Sequence, residues 1–365
     1  MAFWGLSVKN NHLFTSRVLD IKEKERDSVK KIFSLGFVFK RVLLRILVVM
    51  TFTYCFFIPA ILYAQQKLYD DLFSASFPTE QDGWACGRWG TVLKSSNGGE
   101  TWMPQDSGID YTLSSIHFVD QQNGWAVGDE GSIIHTADGG KTWEKQKSPV
   151  PFFLMDVYFE TTLKGWIVTE RTHILFTDDG GKTWSVQFTD EDFILKAISF
   201  AGPLHGWAVG EYGYIFHTRN GGRTWEKQAG YFDISESTGE VEGGTFLFDV
   251  LAVDPQTAWA VGIDGYVIKT ENGGETWQEV ETGGPKTQLF CIESDKKNRI
   301  MIGGNGVFLS SGDNGHSWKV PEFKPTITYG WIYGLARRGS TGFVAVGWEG
   351  AIYLSTSTSW RRVSY

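Results

Sequence analysis

Seven tryptophans, Trp102, Trp143, Trp184, Trp225, Trp277, Trp318 and Trp360, each close a repeated unit, at spacings of 41, 41, 41, 52, 41 and 42 residues. No other feature constrains the fold as much. A unit of this length cannot bury its apolar faces alone, so it must stack on neighbouring copies of itself. The clearest units read GWAVGDEGSIIHTADGGKTW (124–143), GWIVTERTHILFTDDGGKTW (165–184) and GWAVGEYGYIFHTRNGGRTW (206–225). The series begins at GWACGRWGTVLKSSNGGETW (83–102) and continues through AWAVGIDGYVIKTENGGETW (258–277). It then decays through RIMIGGNGVFLSSGDNGHSW (299–318) and GFVAVGWEGAIYLSTSTSW (342–360).

Each unit contains four short strand-like runs bounded by Gly and Asn or Asp, the pattern of antiparallel hairpins. In the second unit the expected strands begin near Ser115, Gly124, Ser132 and Thr142, with Gly128-Asp129-Glu130-Gly131 as a tight turn. Both faces of each sheet are apolar, which demands a sheet on either side. A ring of blades meets that demand and hides most strand edges. The expected fold is all-β: a seven-bladed β-propeller of four-stranded antiparallel blades over residues 67–365. The ring is expected to close by packing of residues 68–77 against residues 360–365. The 43 glycines and 16 tryptophans suit tight turns and large side chains packed between sheets.

Residues 1–45 are a separate segment, polar to mixed, with Lys30, Lys31, Lys40, Arg41 and Arg45 near its end. Residues 46–64 carry no charge, and at 1.5 Å per residue they barely reach across a hydrocarbon core. Basic residues stand before the run and only Lys67 follows closely, which places the N-terminus in the cytoplasm and exports the propeller. Two readings stay open: a signal peptide cut after Ala64, and a retained single-pass anchor. A net charge of −8 argues against nucleic acid as a partner. Cys55, Cys86 and Cys291 have neither disulfide nor metal spacing, and no cofactor motif is present.

The T-x-D-G-G-K-T-W segment is an Asp-box with structural chemistry. Asn97, Asp138, Asp179, Asn220, Asn272 and Asp313 are placed to bond turn amides, and the glycines supply positive φ. The tryptophan that follows is expected to wedge between blades. The last unit, Ser355-Thr356-Ser357-Thr358-Ser359-Trp360, has lost the carboxamide and the glycines.

On GWAVG-x-x-G-x-I-x-x-T-x-D/N-G-G-x-T-W the chain resembles the photosynthesis system II assembly and stability factor propellers, within the BNR (Asp-box) repeat proteins. The resemblance spans about residues 67–365 and is weakest in the last two units. It implies a non-catalytic exported propeller that binds a membrane-protein subunit or assembly intermediate. It also implies an arginine-lined face, of which this chain keeps only Arg88 and Arg171 in the corresponding turns.

In a four-strand meander the second-to-third turn and the loop between blades share one face, and the Asp-boxes lie on the other. The first face is the expected partner surface. Its turns carry Arg88, Trp89, Asp129, Glu130, Glu170, Arg171, Glu211, Tyr212, Ile263, Asp264, Asn305, Trp348 and Glu349. Tyr111, Phe152, Phe153 and the stretch 329–331 add to it from the loops between blades. The residues singled out for a partner are Arg88, Trp89, Glu130, Arg171, Tyr212, Asp264, Trp348 and Glu349. Residues 231–244 are an acidic, Gly-rich insertion on that same face, read as a surface excursion or as a contact loop.

The main rival reading is a carbohydrate-binding or sialidase-like glycoside hydrolase propeller. A sialidase needs a converging arginine cluster and a Tyr–Glu pair. The arginines here share no repeat position, and Arg219 and Arg223 fall in an Asp-box on the wrong face. His135 and His217 occupy a slot that elsewhere takes Phe176 or Leu354, so they are not read as metal ligands. The expectation is therefore a monomeric binding protein and not an enzyme, with a glycan as the alternative ligand.

Overall fold

Short runs of two to seven residues become strands throughout the repeats of a computed structural model, which describes residues 70–324, 330–340, 342–355 and 359–363. The segments 1–45 and 46–64 lie outside the described residues. Among the described residues there is no α-helix, and no helix is long and apolar enough to cross a membrane.

Seven antiparallel sheets make a propeller. In blade 2 the strands are Leu113–Phe118, Gly124–Gly128, Ile133–Thr136 and Glu144–Gln146, in that order from the centre outward. The innermost strands are Leu72–Ser76, Leu113–Phe118, Leu154–Phe159, Leu195–Ala201, Leu247–Ala252, Leu289–Ser294 and Ile332–Arg338. Each touches the next, and the seventh touches the first, so the ring is closed.

Closure differs from the expectation. Leu72–Ser76 packs on Ile332–Arg338 and Gly342–Gly347, while Val363 joins the apolar cluster around Leu72. Trp360 instead stacks on Phe308 of blade 6, with ring centroids 4.5 Å apart. Residues 68, 69, 364 and 365 lie outside the described residues. The strand count also departs from four in two blades. Blade 6 has three strands and a single bridge between Ser310 and Lys319; blade 7 has five, because Glu322–Lys324 pairs in parallel with Ser359–Arg362. The cause is Pro321. Ser310 and Lys319 exchange both backbone hydrogen bonds, so the next bonded position falls on residue 321, which has no N–H to give.

Between blades, the GWAVG tryptophan on the second strand is the deepest element. Trp84, Trp125, Trp166, Trp207 and Trp259 are fully buried, and the first three stack on a phenylalanine of the next blade. Trp84 lies on Phe118 at 3.7 Å and Trp125 on Phe159 at 3.6 Å. The Asp-box tryptophan of that next blade then meets the phenylalanine edge-on, as Trp143 does with Phe118 and Trp184 with Phe159. The expected wedge is therefore the outer member of a three-ring stack. The leading glycine of the motif exists to admit the phenylalanine: a Cβ on Gly124 would meet the Phe118 ring at 2.4 Å. Blade 5 supports this, since Ala258 replaces the glycine and the smaller Ala252 replaces the phenylalanine.

The six Asp-boxes behave alike. Thr136 Oγ1 donates to Asp138 Oδ1 and accepts the Gly140 amide, while Asp138 accepts the amide and hydroxyl of Thr142. These bonds pull the carboxyls of Asp138, Asp179 and Asp313 down to about 2. Asn97, Asn220 and Asn272 make the corresponding contacts without charge. Gly140 has positive φ and lies against Gln105 of the preceding blade, leaving no room for a Cβ. Gln146 and Gln228 donate to the next box at Gly180 and Gly273, a latch between blades.

His217 shows how the buried slot is filled. It stacks on Trp207 at 4.2 Å and bonds Gln228 through Nδ1, and its Nε2 has no partner. His135 stacks on Trp125 in the same way. Desolvation, then the charges of Arg219 and His205, push His217 down to about 4; burial does the same to His117.

Two outcomes follow from this packing. Trp125→Ala is expected to lower the unfolding free energy by about 3–5 kcal/mol, and Trp143→Ala by less, as read by denaturant melts; equal losses would contradict the deeper role of Trp125. Because the unfolded chain binds more protons than the folded one between the depressed and the ordinary histidine pKa, stability should rise from about pH 4 to about pH 6.5. His217→Phe, which copies blade 3, should flatten part of that rise in melts run across this range.

Candidate partner-binding face

The turn between the second and third strands is a short 3-10 turn whose central residue is left-handed. Trp89, Glu130, Tyr212, Asp264 and Glu349 all have φ between 52° and 55°. Their turns share a face with the loops between blades, because the first turn residue donates its amide to the loop before the inner strand. Arg88 N bonds Asp71 O, Asp129 N bonds Thr112 O, and Trp348 N bonds Trp331 O. The Asp-boxes bond the first-to-second turns on the opposite face, for example Gly139 N to Gln122 O. The expected division into two faces is the one observed.

Four of the eight residues singled out for a partner meet at the seam between blades 7 and 1. Asp71 joins them: it pairs with Arg88 Nε at 2.9 Å and accepts the Glu349 amide at 2.9 Å. Trp89 adjoins Arg88, and Trp348 adjoins Glu349. With Trp331 these give three exposed indoles, at 62%, 42% and 47% relative accessibility. The other four are spread around the ring. Glu130 and Asp264 stand exposed in their own turns. Arg171 lies over the Phe152 ring and 3.6 Å from Asp192. Tyr212 is covered by the insertion, which forms a hairpin of Phe232–Ile234 and Val241–Gly243; its ring packs on Phe232 at 4.8 Å. Both arginines of the expected arginine face are thus engaged in contacts within the chain.

Sequence reading missed the rim of the central channel. The second residue of each inner strand turns toward the axis, and on blades 5, 6, 7 and 1 it is Phe248, Phe290, Tyr333 and Phe73. Their rings form a continuous arc: Phe248–Phe290 at 5.2 Å, Phe290–Tyr333 at 5.6 Å and Phe73–Tyr333 at 5.2 Å. Trp331 extends it outward, 5.9 Å from Phe290. The signal was available, since these residues occupy one slot in the aligned repeats. The channel behind them has a volume of about 550 Å³ and reaches the turn face, where Thr112, Phe153 and Glu170 line it. Residue 329 lies outside the described residues.

The profile of the family described as photosynthesis system II assembly factor YCF48 matches residues 62–151 and 143–230. No curated protein matches the sequence. Among solved structures, a YCF48 bound to a D1 peptide superposes with a TM-score of 0.64 at 18% identity, over 79% of this chain and 92% of its own. YCF48 from Cyanidioschyzon merolae gives 0.62 at 18% identity, over 78% and 94%. A GH74 enzyme from Niastella koreensis gives 0.62 at 13% identity, over 80% of this chain and 54% of that one. At these identities a structural likeness is one of fold, and the repeats themselves carry the family. The family profile spans residues 62–230, and the Asp-box units carry the same pattern on around the seven-bladed ring, so this chain is similar to the photosynthesis system II assembly factor propellers.

Proposed function

We propose that the chain is a non-catalytic, exported scaffold that holds a segment of a membrane protein on its turn face, at the seam between blades 7 and 1. The observation that carries this reading is that the two turns holding the exposed Trp89 and Trp348 are tied together through Asp71, with the exposed Trp331 packed on the aromatic rim of the channel. Exposed aromatics of this kind are the usual anchors of protein interfaces. A matched YCF48 structure holds a D1 peptide, and a peptide from a photosystem subunit is the client class we carry over to this chain. The net charge of −8 disfavours a strongly acidic client segment. Export rests on the uncharged run 46–64 behind its basic flank. The closed ring needs no second copy to complete its core, which suits a monomer.

Trp89 supports the reading in a second way. A bulky side chain in the left-handed region costs of the order of 1 kcal/mol, whereas Asn tolerates it. Trp89→Asn is therefore expected to raise the unfolding free energy by about 1 kcal/mol while weakening client capture. A loss of stability would remove the argument from strain.

The direct test is crosslinking capture from native membranes with the tagged protein beside its Trp89→Ala/Trp348→Ala variant. Recovery of a membrane-complex subunit, lost in the variant with an unchanged melt, is the expected result. Photosystem subunits among the captured proteins would support the finer reading. Capture that survives the double substitution would place the client elsewhere, and binding of a glycan in its stead would favour the carbohydrate alternative.

A further inference from the structure

The channel wall contains one group whose hydrogen-bonding capacity is unspent. Lys196 is the second residue of the blade 4 inner strand, the position that supplies the aromatic arc on blades 5, 6, 7 and 1. Its ammonium has three donors. Among the described residues it has no hydrogen-bond partner and no carboxylate within ion-pair distance.

The acids nearest to it in the channel are already engaged. Asp156 accepts the Ser115 hydroxyl at 2.6 Å, the Val157 amide at 2.9 Å and the Ile198 amide at 2.9 Å. Asp249 accepts the amides of Val250 and Ile292, each at 2.8 Å. Glu293 takes the Ser294 amide at 2.7 Å and the Arg337 amide as well. Each of these carboxylates bonds amides of its own blade and of the next, and Asp156 also takes the Ser115 hydroxyl of the preceding blade. Desolvation then lowers Lys196, and the charges of Asp156 and Asp249 raise it, with burial the larger effect. Lys196 is half-buried and its ammonium is not among the fully buried polar atoms that lack a partner, so it faces the open channel, where a ligand acceptor can take the place of water.

We infer that the channel mouth is a carboxylate subsite: Lys196 receives the carboxylate of a polypeptide whose neighbouring apolar side chains lie on Phe248, Phe290, Tyr333 and Phe73. The incoming group must be an acceptor; a carbonyl and a carboxylate would both make a charge-assisted bond to the ammonium, and the carboxylate adds the attraction between two full charges. The arc fixes the rest of the ligand as apolar, and a volume of about 550 Å³ admits two or three residues and no folded element. The carboxylate belongs either to a chain terminus or to an Asp or Glu side chain within a segment. This inference rests on the proposed binding of a client at the turn face and adds the chemistry of its anchoring group.

The test uses the full-length protein and three synthetic probes with the same apolar residues. These are the tetrapeptide Ala-Leu-Phe-Ala as its free acid, its C-terminal amide, and an amidated pentapeptide with an internal Glu. Calorimetry should show the free acid or the Glu peptide binding at least tenfold tighter than the simple amide; which of the two does so identifies the source. That preference should vanish in Lys196→Met and return in part in Lys196→Arg. Should Lys196→Met fail to fold, a carbodiimide crosslink on the unaltered protein, mapped by mass spectrometry, should join the peptide carboxyl to Lys196. Equal binding of acid and amide, no binding of any probe, or a crosslink only to other lysines would overturn the inference. The two readings fail separately. Loss of membrane capture in the seam tryptophan variant without any acid preference would remove only the subsite, and an acid preference without membrane capture would remove only the client.

Discussion

Every blade of this propeller has an inner strand with one edge left unpaired, and the protein depends on how those edges are satisfied. A buried amide without a partner costs about as much as the bond it lacks. The solution here is a side-chain acceptor from the preceding blade. Ser74 and Ser76 of blade 1 accept the amides of Ile116 and Phe118. Asp156 serves Ile198, Ser199 serves Ala252, and Asp249 serves Ile292. This stitching ties blade 1 to blade 2 and blades 3 to 6 to one another at the axis, where no sheet ladder runs. It also explains why short polar residues stand in strands that read as apolar core, and why the channel acids are structural rather than ligands.

The outer half of each blade junction is held by aromatic stacking, which imposes its own coupling between positions. The ring of Phe118 occupies the space a side chain at residue 124 would need, while Trp84 of the preceding blade covers its other side. Glycine, phenylalanine and tryptophan are thus one unit spread over two blades. Blade 5 shows the unit altered in step, with Ala258 and Ala252 together. Trp207 accordingly has no phenylalanine ring on the next blade to stack on and keeps the stack with His217 of its own blade, as Trp125 does with His135.

Blade number, the two-faced division of loops and the site of the insertion were legible in the sequence, because each follows from a repeat whose turn chemistry is local. The Asp-box announces itself through Asn97 or Asp138 and the glycines that follow, since side chain, turn and φ lie within six residues. What was not legible depended on contacts between units. Two tryptophans recur in five of the seven repeats, and their order of burial, Trp125 deeper than Trp143, is set by the packing between blades. The shortened blade 6 was readable in principle from Pro321, but only once the pairing of Ser310 with Lys319 fixed which residues must donate. The aromatic rim escaped notice because Phe73, Phe248, Phe290 and Tyr333 look like ordinary strand residues until the strands are arranged around an axis.

The same division of labour separates scaffold from surface. In the five left-handed turns the backbone is held at one conformation by bonds from the turn amides to the loop before each inner strand. The side chain at the central position is then free to vary, and it is Trp, Glu, Tyr, Asp and Glu in turn. Tyr212 uses that freedom to seat the insertion hairpin against Phe232. Trp89 and Trp348 are exposed, and their turns stand on either side of the one junction where the ring closes. Closure brings the ends of the propeller together through Asp71, so the surface made there exists only in the complete ring. A client bound at that seam would read the folded state of the whole molecule, because no single repeat contains the site.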